Sequence, residues 1–511
     1  MSKARKRRSR KETGSTPIKV PAQEGRPGTH GSADASRPWK LLCRCLFGAT
    51  LLYCAAAINF NPLIQSFHQA DTLLRALIST VRWTPFYWTE NRLGSLTPLL
   101  AMGIHNPLPN LLFQTQIHVL ACLLCVWLIV ALCAGPGRAF STEVLLTTQV
   151  LWLLSAAVLR INSQSVPSFF LGETSALSMA LVLGALVLAL HGMKGPEAVR
   201  HALVVALSFL AFWLYIPHVA FALSVLAVFP GGRANFRSRA MAVLDVLLAF
   251  VAVYLWERLS PGPNFHGLAG IRQIPHAIAQ LWWTGSTFVI HVQRLFWIAA
   301  GGIALAGIRF GVRRTAPLRV AALLAGAMVL LGMVVVSAWV RDNAYFARFL
   351  TSPALLIIPI ACYPLARSLA SLAGTGRAYA CVAVSAVCIT AASIALGFPS
   401  PARAEEAVDR VTASGATDIA ALGCTHLTGD YWKVWPGVFH HNAHSSGTPL
   451  WGVTLRASAT RDLWDAPPPA ARAYCSVCED THADSMRRLF HLGEFLPNGR
   501  SGDICRYRVG P

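Results

Sequence analysis

The chain has 511 residues, of which 54% are hydrophobic and only 13% charged, and its mean hydropathy is +0.49. Soluble domains carry about 25% charged residues, so composition excludes a set of ordinary soluble domains. The formal net charge of +21 has the sign of a nucleic-acid binder, but its distribution points to lipid headgroups instead.

Residues 1–40 hold Lys3, Arg5, Lys6, Arg7, Arg8, Arg10, Lys11, Lys19, Arg26, Arg37 and Lys40 among Gly, Ser and Pro. That composition predicts a disordered basic tail. Residues 41–60 are too long and too apolar for the core of a cleaved signal peptide, and no clean small-x-small site follows. They read as a retained first span. The rest of the 41–398 transmembrane domain predicts eleven spans in all, at about 41–60, 111–134, 143–159, 174–192, 199–215, 217–230, 240–257, 285–308, 318–340, 350–370 and 378–398.

The excess of Arg and Lys in short cytoplasmic loops sets orientation. With the N-terminus inside, the loops after even-numbered spans contain Arg138; Lys194 and Arg200; Arg233, Arg237 and Arg239; Arg309, Arg313, Arg314 and Arg319; Arg367 and Arg377. An odd span number then puts residues 399–511 on the far side of the membrane. Arg and Ala richness suggests a GC-rich bacterial genome, and hence a bacterial inner membrane.

Two far-side loops are long. The first, 61–110, predicts short interfacial helices at 68–82 and 91–104, with Trp83, Phe86, Tyr87 and Trp88 between them at headgroup depth. Its Asp71 and Glu90 lie among aromatics, where a carboxylate is suited to act as a general base on a hydroxyl. Each has a local alternative, Asp71 pairing with Arg75 and Glu90 with Arg92. Glu173 reads as an acid at a helix N-terminus. The second long loop, about 258–284, holds His266, Arg272 and His276. Farther on, Arg341 and Arg348 are seven apart, one helical face if the segment is helical. Two guanidiniums there suit a phosphate or diphosphate; the alternative is snorkelling to lipid phosphate.

Nine of the thirteen cysteines lie in or beside apolar spans; Cys424, Cys475, Cys478 and Cys505 lie in the C-terminal segment. Four cysteines in a small domain on the oxidising side predict two disulfides, with three pairings open. Cys475-Ser-Val-Cys478 is also the spacing of half a zinc site, but the histidines after it lack zinc-finger spacing, and no metal ligands are assigned. The segment reads as a small α/β domain, with a helix at about 403–414, strands at 418–424 and 449–458, a helix or strand from 430, a turn at 467–469 and a helix at 483–491. Asp430, Tyr431 and Trp432 suit sugar stacking as well as an ordinary domain core. No phosphate-cradling glycine loop, His-Glu-x-x-His zinc helix or nucleophile elbow occurs.

The layout resembles the GT-C superfamily of polyprenyl-phosphate-dependent glycosyltransferases. The resemblance rests on the N-in multispan plan, the first loop with its acids, the run Tyr87-Trp88-Thr89-Glu90-Asn91-Arg92-Leu93-Gly94-Ser95-Leu96-Thr97-Pro98, the segment Ala347-Arg348-Phe349-Leu350 with Pro353 and Pro359, and a terminal domain with Asp430-Tyr431-Trp432. Phe349 stands where the family has Tyr. The family's adjacent acidic pair is missing, since Gln69-Ala70-Asp71 offers one acid.

What the resemblance implies is an inverting transfer of a sugar from a polyprenyl-phosphate donor to an envelope glycan, lipid or protein acceptor. Asp71 or Glu90 would be the base. Arg92, Arg272, His276, Arg341, Arg348, Asp430, Tyr431 and Trp432 would bind substrate. A divalent metal assists some members, and the sequence holds no cluster that requires one; the lipid-linked sugar is the donor. Two other readings stand beside it. A transporter of lipid-linked glycan would need a polar path through the spans, where only Asp245, Gln149, Gln116 and His118 are prominent. A non-catalytic membrane scaffold would use the C-terminal domain to bind a partner.

Overall fold

The computed structural model describes residues 36–88, 94–161, 171, 175–192, 195–230, 236–259, 274–280, 315–342, 347–445, 447–454, 473–478 and 495–509. Its helices are α1 (Ser36–Asn59), α2 (Pro62–Gln65), α3 (Ala70–Thr80), α4 (Leu96–Ala101), α5 (Pro107–Ala134), α6 (Thr142–Ile161), α7 (Ser175–His191), α8 (Glu197–Leu214), α9 (His218–Val228), α10 (Phe236–Arg258), α11 (Thr315–Val335), α12 (Ala338–Asp342), α13 (Thr351–Leu372) and α14 (Arg377–Leu396). Among the described residues, seven helices are long and apolar enough to cross a membrane, and three shorter apolar helices accompany them. In lipid a helix is the open-chain solution, because it satisfies every backbone group internally. The chain is a helical membrane protein. Ten of the predicted spans coincide with α1, α5–α11, α13 and α14; the one at 285–308 lies outside the described residues.

The bundle core is aliphatic, with Leu132, Leu183, Phe212, Phe221, Leu330 and Leu356 fully buried. Polar side chains within it bond to one another. Asp245 of α10 receives His201 of α8 at 2.6 Å, and Gln149 Nε2 donates to Ser385 Oγ at 2.9 Å. His218 joins Ser178 and Ser352 through its two ring nitrogens, at 2.6 and 3.1 Å. Such pairing is what a low-dielectric interior demands of polar groups.

After α14, helices α15 (Pro401–Thr412), α16 (Ala416–Ala421) and α17 (Tyr431–His444) accompany strands β1 (His426–Gly429), β2 (Trp451–Thr454), β3 (Tyr474–Val477), β4 (Phe495–Ser501) and β5 (Ile504–Val509). The strand order is β2-β1-β3-β5-β4. β1 is parallel to β2 and β3, whereas β5 is antiparallel to β3 and β4. The expected strand at 418–424 is instead helix α16 followed by a turn, and the strand begins at His426. Gly415, at φ 72°, supplies the left-handed residue that opens α16, while β1 starts two residues after Cys424. Segments 467–469 and 483–491 lie outside the described residues.

Two disulfides lace the sheet. Cys424 joins Cys475 with Cα atoms 5.8 Å apart, and Cys478 joins Cys505 at 5.0 Å. The first ties the approach to β1 to β3, and the second ties the end of β3 to β5. Of the three pairings open from sequence, one is realised, and Cys475 and Cys478 do not form a local pair.

Candidate functional site between the first loop and the C-terminal domain

The first long loop is built by caps. Asn61 accepts from the Leu63 amide at 2.9 Å, opening α2, and its own amide donates to the Leu396 carbonyl at the end of α14. The Gln69 amide donates to Thr72 Oγ1 at 3.0 Å at the start of α3. Asn106 caps α5 by accepting from Leu108, while its Nδ2 donates to the Ala443 carbonyl of α17 at 2.9 Å. Each cap satisfies helix-terminal amides, and two of them reach a distant element as well.

Helix α3 then packs beneath the C-terminal domain. Leu73, Leu74, Leu77 and Ile78 share one core with Val434, Trp435, Val438, Phe439, Trp451 and Val453. Tyr87 and Trp88 belong to that core, 4% and 3% exposed. Trp88 packs beside Trp435 and Trp451, with ring centroids at 6.2 and 6.0 Å. Burial against protein removes more of an indole from water than a half-wet interface does. Two glycines make room. A Cβ on Gly452 would stand 2.5 Å from the Trp435 ring, and one on Gly94, at φ 150°, 2.8 Å from the Tyr87 ring.

At the edge of this core, Asp71 in the first turn of α3 is half-buried and accepts a hydrogen bond from the Tyr431 hydroxyl. The contact spans 360 residues of sequence and joins the first loop to the first residue of α17. Trp432 beside it is 42% exposed, its ring 5.1 Å from that of Tyr431. Asp430 is the N-cap of α17 and accepts from the Trp432 amide at 2.9 Å. Of the residues expected to bind substrate, Tyr431 and Trp432 therefore gather around Asp71, and Asp430 positions both by starting the helix.

The remaining expected residues fall elsewhere. Glu90, Arg92, Glu173, His266 and Arg272 lie outside the described residues. Arg341 is in α12 and Arg348 in a separate 3-10 turn, Ala347–Leu350, so their spacing of seven does not place them on one helix. His276 is exposed on the helical stretch 274–280. Ala277 of that stretch packs with Val334, Val340, Phe349 and Leu350, which brings together the elements bearing His276, Arg341 and Arg348. That cluster is distinct from the one around Asp71.

The opposite face of α3 holds what the sequence reading missed. Arg75, 3% exposed, donates from Nη1 to His118 Nε2 of α5 at 2.6 Å and from Nη2 to the Leu171 carbonyl at 3.3 Å. A guanidinium only donates, so His118 Nε2 accepts and that imidazole is neutral. Gln114 donates to the Arg75 carbonyl, and Asn110 donates to Ser79 Oγ and to the Ala101 carbonyl. Arg75 thus turns towards α5, and the expected local partner of Asp71 is replaced by Tyr431. Above it, the His68 ring donates from Nε2 to Gln65 Oε1 at 2.6 Å and takes the Thr72 hydroxyl at Nδ1 at 3.0 Å. Burial, and secondarily the Arg75 charge, pushes the His68 imidazole down to about 3. The signal in the sequence was the spacing Asn110, Gln114, His118, a polar stripe of period four in an otherwise apolar span.

Comparison with protein-family models, with curated proteins and with solved structures finds no match.

Proposed function

We propose that the chain is a GT-C-type glycosyltransferase of the bacterial inner membrane. In this reading it has eleven spans, a cytoplasmic N-terminus and an extracytoplasmic C-terminal domain. It moves a sugar from a polyprenyl-phosphate donor to an envelope glycan, lipid or protein. The observation that supports this best is the placement of Asp71. It is the acid of the short helix that follows the first span, half-buried beneath the C-terminal domain and oriented by the Tyr431 hydroxyl.

The reaction follows from the roles. The acceptor hydroxyl oxygen attacks the anomeric carbon from the face opposite the phosphate. The bond from that carbon to the phosphate oxygen breaks, and the hydroxyl proton passes to Asp71. Polyprenyl phosphate leaves with the electron pair; Arg341 and Arg348, whose elements gather in a cluster apart from Asp71, keep the phosphate-binding role that the resemblance implies. Exposed Trp432 offers a stacking face to the acceptor. A transport path is less well supported, because Asp245, Gln149 and His218 bond to other bundle side chains. The scaffold reading takes the Asp71–Tyr431 contact as a latch only.

The test compares envelope glycans by mass spectrometry in cells carrying the wild type, Asp71→Asn, Glu90→Gln, the double variant, or no protein. Loss of one sugar mass without the protein identifies the acceptor. Asp71→Asn is expected to lower transfer by roughly 10²–10⁴-fold at unchanged abundance. Full transfer by both single variants and the double variant would overturn the base assignment. Unchanged glycans without the protein would leave the scaffold.

A further inference from the structure

On the C-terminal domain, away from Asp71, three potential ligands converge. Asp409 projects from α15, and His440 and His444 from the last turns of α17. One ligand atom from each lies within 4.8 Å of the other two. His444 Nε2 is 2.8 Å from Asp409 Oδ1, and His440 Nδ1 is 3.9 Å from the same oxygen. The two imidazole rings are 4.4 Å apart, centroid to centroid.

The local sequence dictates this arrangement. Four residues make about one helical turn, so His440 and His444 share a face, and His441 between them points elsewhere. Helix α15 presents Ala404, Ala407 and Val408 to the core, which fixes the adjacent Asp409 at the rim. Thr412, one turn later, reaches His440 Nδ1 at 3.2 Å. Side-chain exposure grades from 18% at His440 through 33% at Asp409 to 48% at His444. The pocket is therefore closed by protein on one side and open to water on the other.

We infer that Asp409, His440 and His444 form a binding site for a divalent transition-metal ion of the Zn²⁺ type. Two imidazole nitrogens and one carboxylate oxygen are a borderline donor set that suits zinc and its neighbours rather than Mg²⁺ or Ca²⁺. Tetrahedral ligation at about 2.0–2.2 Å sets donor atoms roughly 3.3–3.6 Å apart, so the His444–Asp409 contact would open from 2.8 Å and the His440–Asp409 contact would close from 3.9 Å. The competing arrangement, a plain His444–Asp409 ion pair, leaves the second imidazole turned towards the same carboxylate without a close bond to it. A cation between the three satisfies all of them, and water supplies the fourth ligand.

Helix α15 lies on α2 and α17 lies on α3, so an ion joining α15 to α17 closes the C-terminal domain around the first loop. The inference does not depend on the transferase reading, because its ligands and its test lie wholly within the domain.

Full-length protein purified in detergent without a polyhistidine tag, stripped with a chelator and dialysed, provides the test. Titration with Zn²⁺ in a calorimeter is expected to show one saturable equivalent and a raised melting temperature. Co²⁺ is expected to give the visible absorption of a tetrahedral site. His444→Ala and Asp409→Asn should each weaken binding by roughly tenfold or more, whereas His441→Ala should leave it unchanged. Intact disulfides and unaltered circular dichroism show that the variants are folded. No saturable Zn²⁺ binding by the wild type, or unchanged binding in both ligand variants, would overturn the site.

Discussion

The two faces of α3 are built from opposite chemistry, and in the opposite sense to simple expectation. The face turned to the C-terminal domain, a domain made of polar and charged sequence, is aliphatic: Leu73, Leu74, Leu77 and Ile78 meet Trp435, Val438 and Phe439. The face turned to the apolar bundle is polar: Thr72, Arg75 and Ser79 bond through or beside His68, His118 and Asn110. The difference shows how a short helix is held at a membrane edge. Apolar contact supplies most of the adhesion to the domain, since it needs no directional match. Directional bonds to α5 fix the depth and rotation of the helix, because a buried polar group costs free energy unless its partner is in place. Asp71 sits at the border of the two regimes.

The largest expected effect breaks the apolar side. Trp435 is 1% exposed and packs against Trp88, Tyr431 and the bare backbone of Gly452. Trp435→Ala should cost about 3–5 kcal/mol, enough to release the domain from α3. Limited proteolysis of detergent-purified protein should then cut within the C-terminal domain faster than in the wild type. Gly452→Leu should do the same by driving a side chain into the indole. Protection unchanged in both variants would show that the polar contacts alone hold the domain.

These features differ in how far they could be read ahead. The apolar helices follow from long apolar runs, because a helix in lipid answers to a one-dimensional rule; ten of the expected spans coincide with helices, of which seven are long and apolar enough to cross a membrane. The two disulfides were foreseen, but their pairing depends on strand order β1-β3-β5, which no local pattern contains. Asp71 was legible as an acid in an aromatic loop. Its partner was not, because Tyr431 is 360 residues away and is aimed by the Asp430 cap. The alternative pairing of Arg75 with Asp71 is not formed for the same reason: the i,i+4 rule knows only α3, whereas His118 is on α5. The Asp409–His440–His444 cluster left half a trace, the two histidines one turn apart; the carboxylate that completes it comes from another helix.

The polar side is tested by pH. In the unfolded chain His68 binds a proton near its ordinary value of 6.5, and in the fold only near 3. Above 6.5 both states are neutral and the native contacts count in full. As pH falls through 6.5 the unfolded state gains the proton first, so stability is lost progressively down to about 3. Between pH 7.5 and pH 5 the loss should be about 2 kcal/mol from this residue. Unfolding in SDS at the two pH values measures it. His68→Gln, which does not titrate, should lower stability at pH 7.5 but remove that share of the pH dependence. An identical pH dependence in the variant would place the proton elsewhere.

The smallest expected effect on stability is the most informative about function. Tyr431→Phe removes one hydroxyl and keeps the ring against Trp435. Asp71 is half-buried, so water can take up the vacated position, and the loss in stability should be about 1 kcal/mol, the ordinary net worth of a hydrogen bond. A latch predicts only that loss, with transfer following abundance. A carboxylate oriented for proton abstraction predicts more: a fall in transfer per molecule at unchanged abundance, because a misaimed base loses rate without losing fold. The double variant Asp71→Asn/Tyr431→Phe separates the two. If the tyrosine acts through the aspartate, adding Tyr431→Phe to Asp71→Asn should cost no further activity; if they act independently, the two losses should multiply. The hydroxyl thereby decides whether the border of the two faces of α3 is a seam or a site.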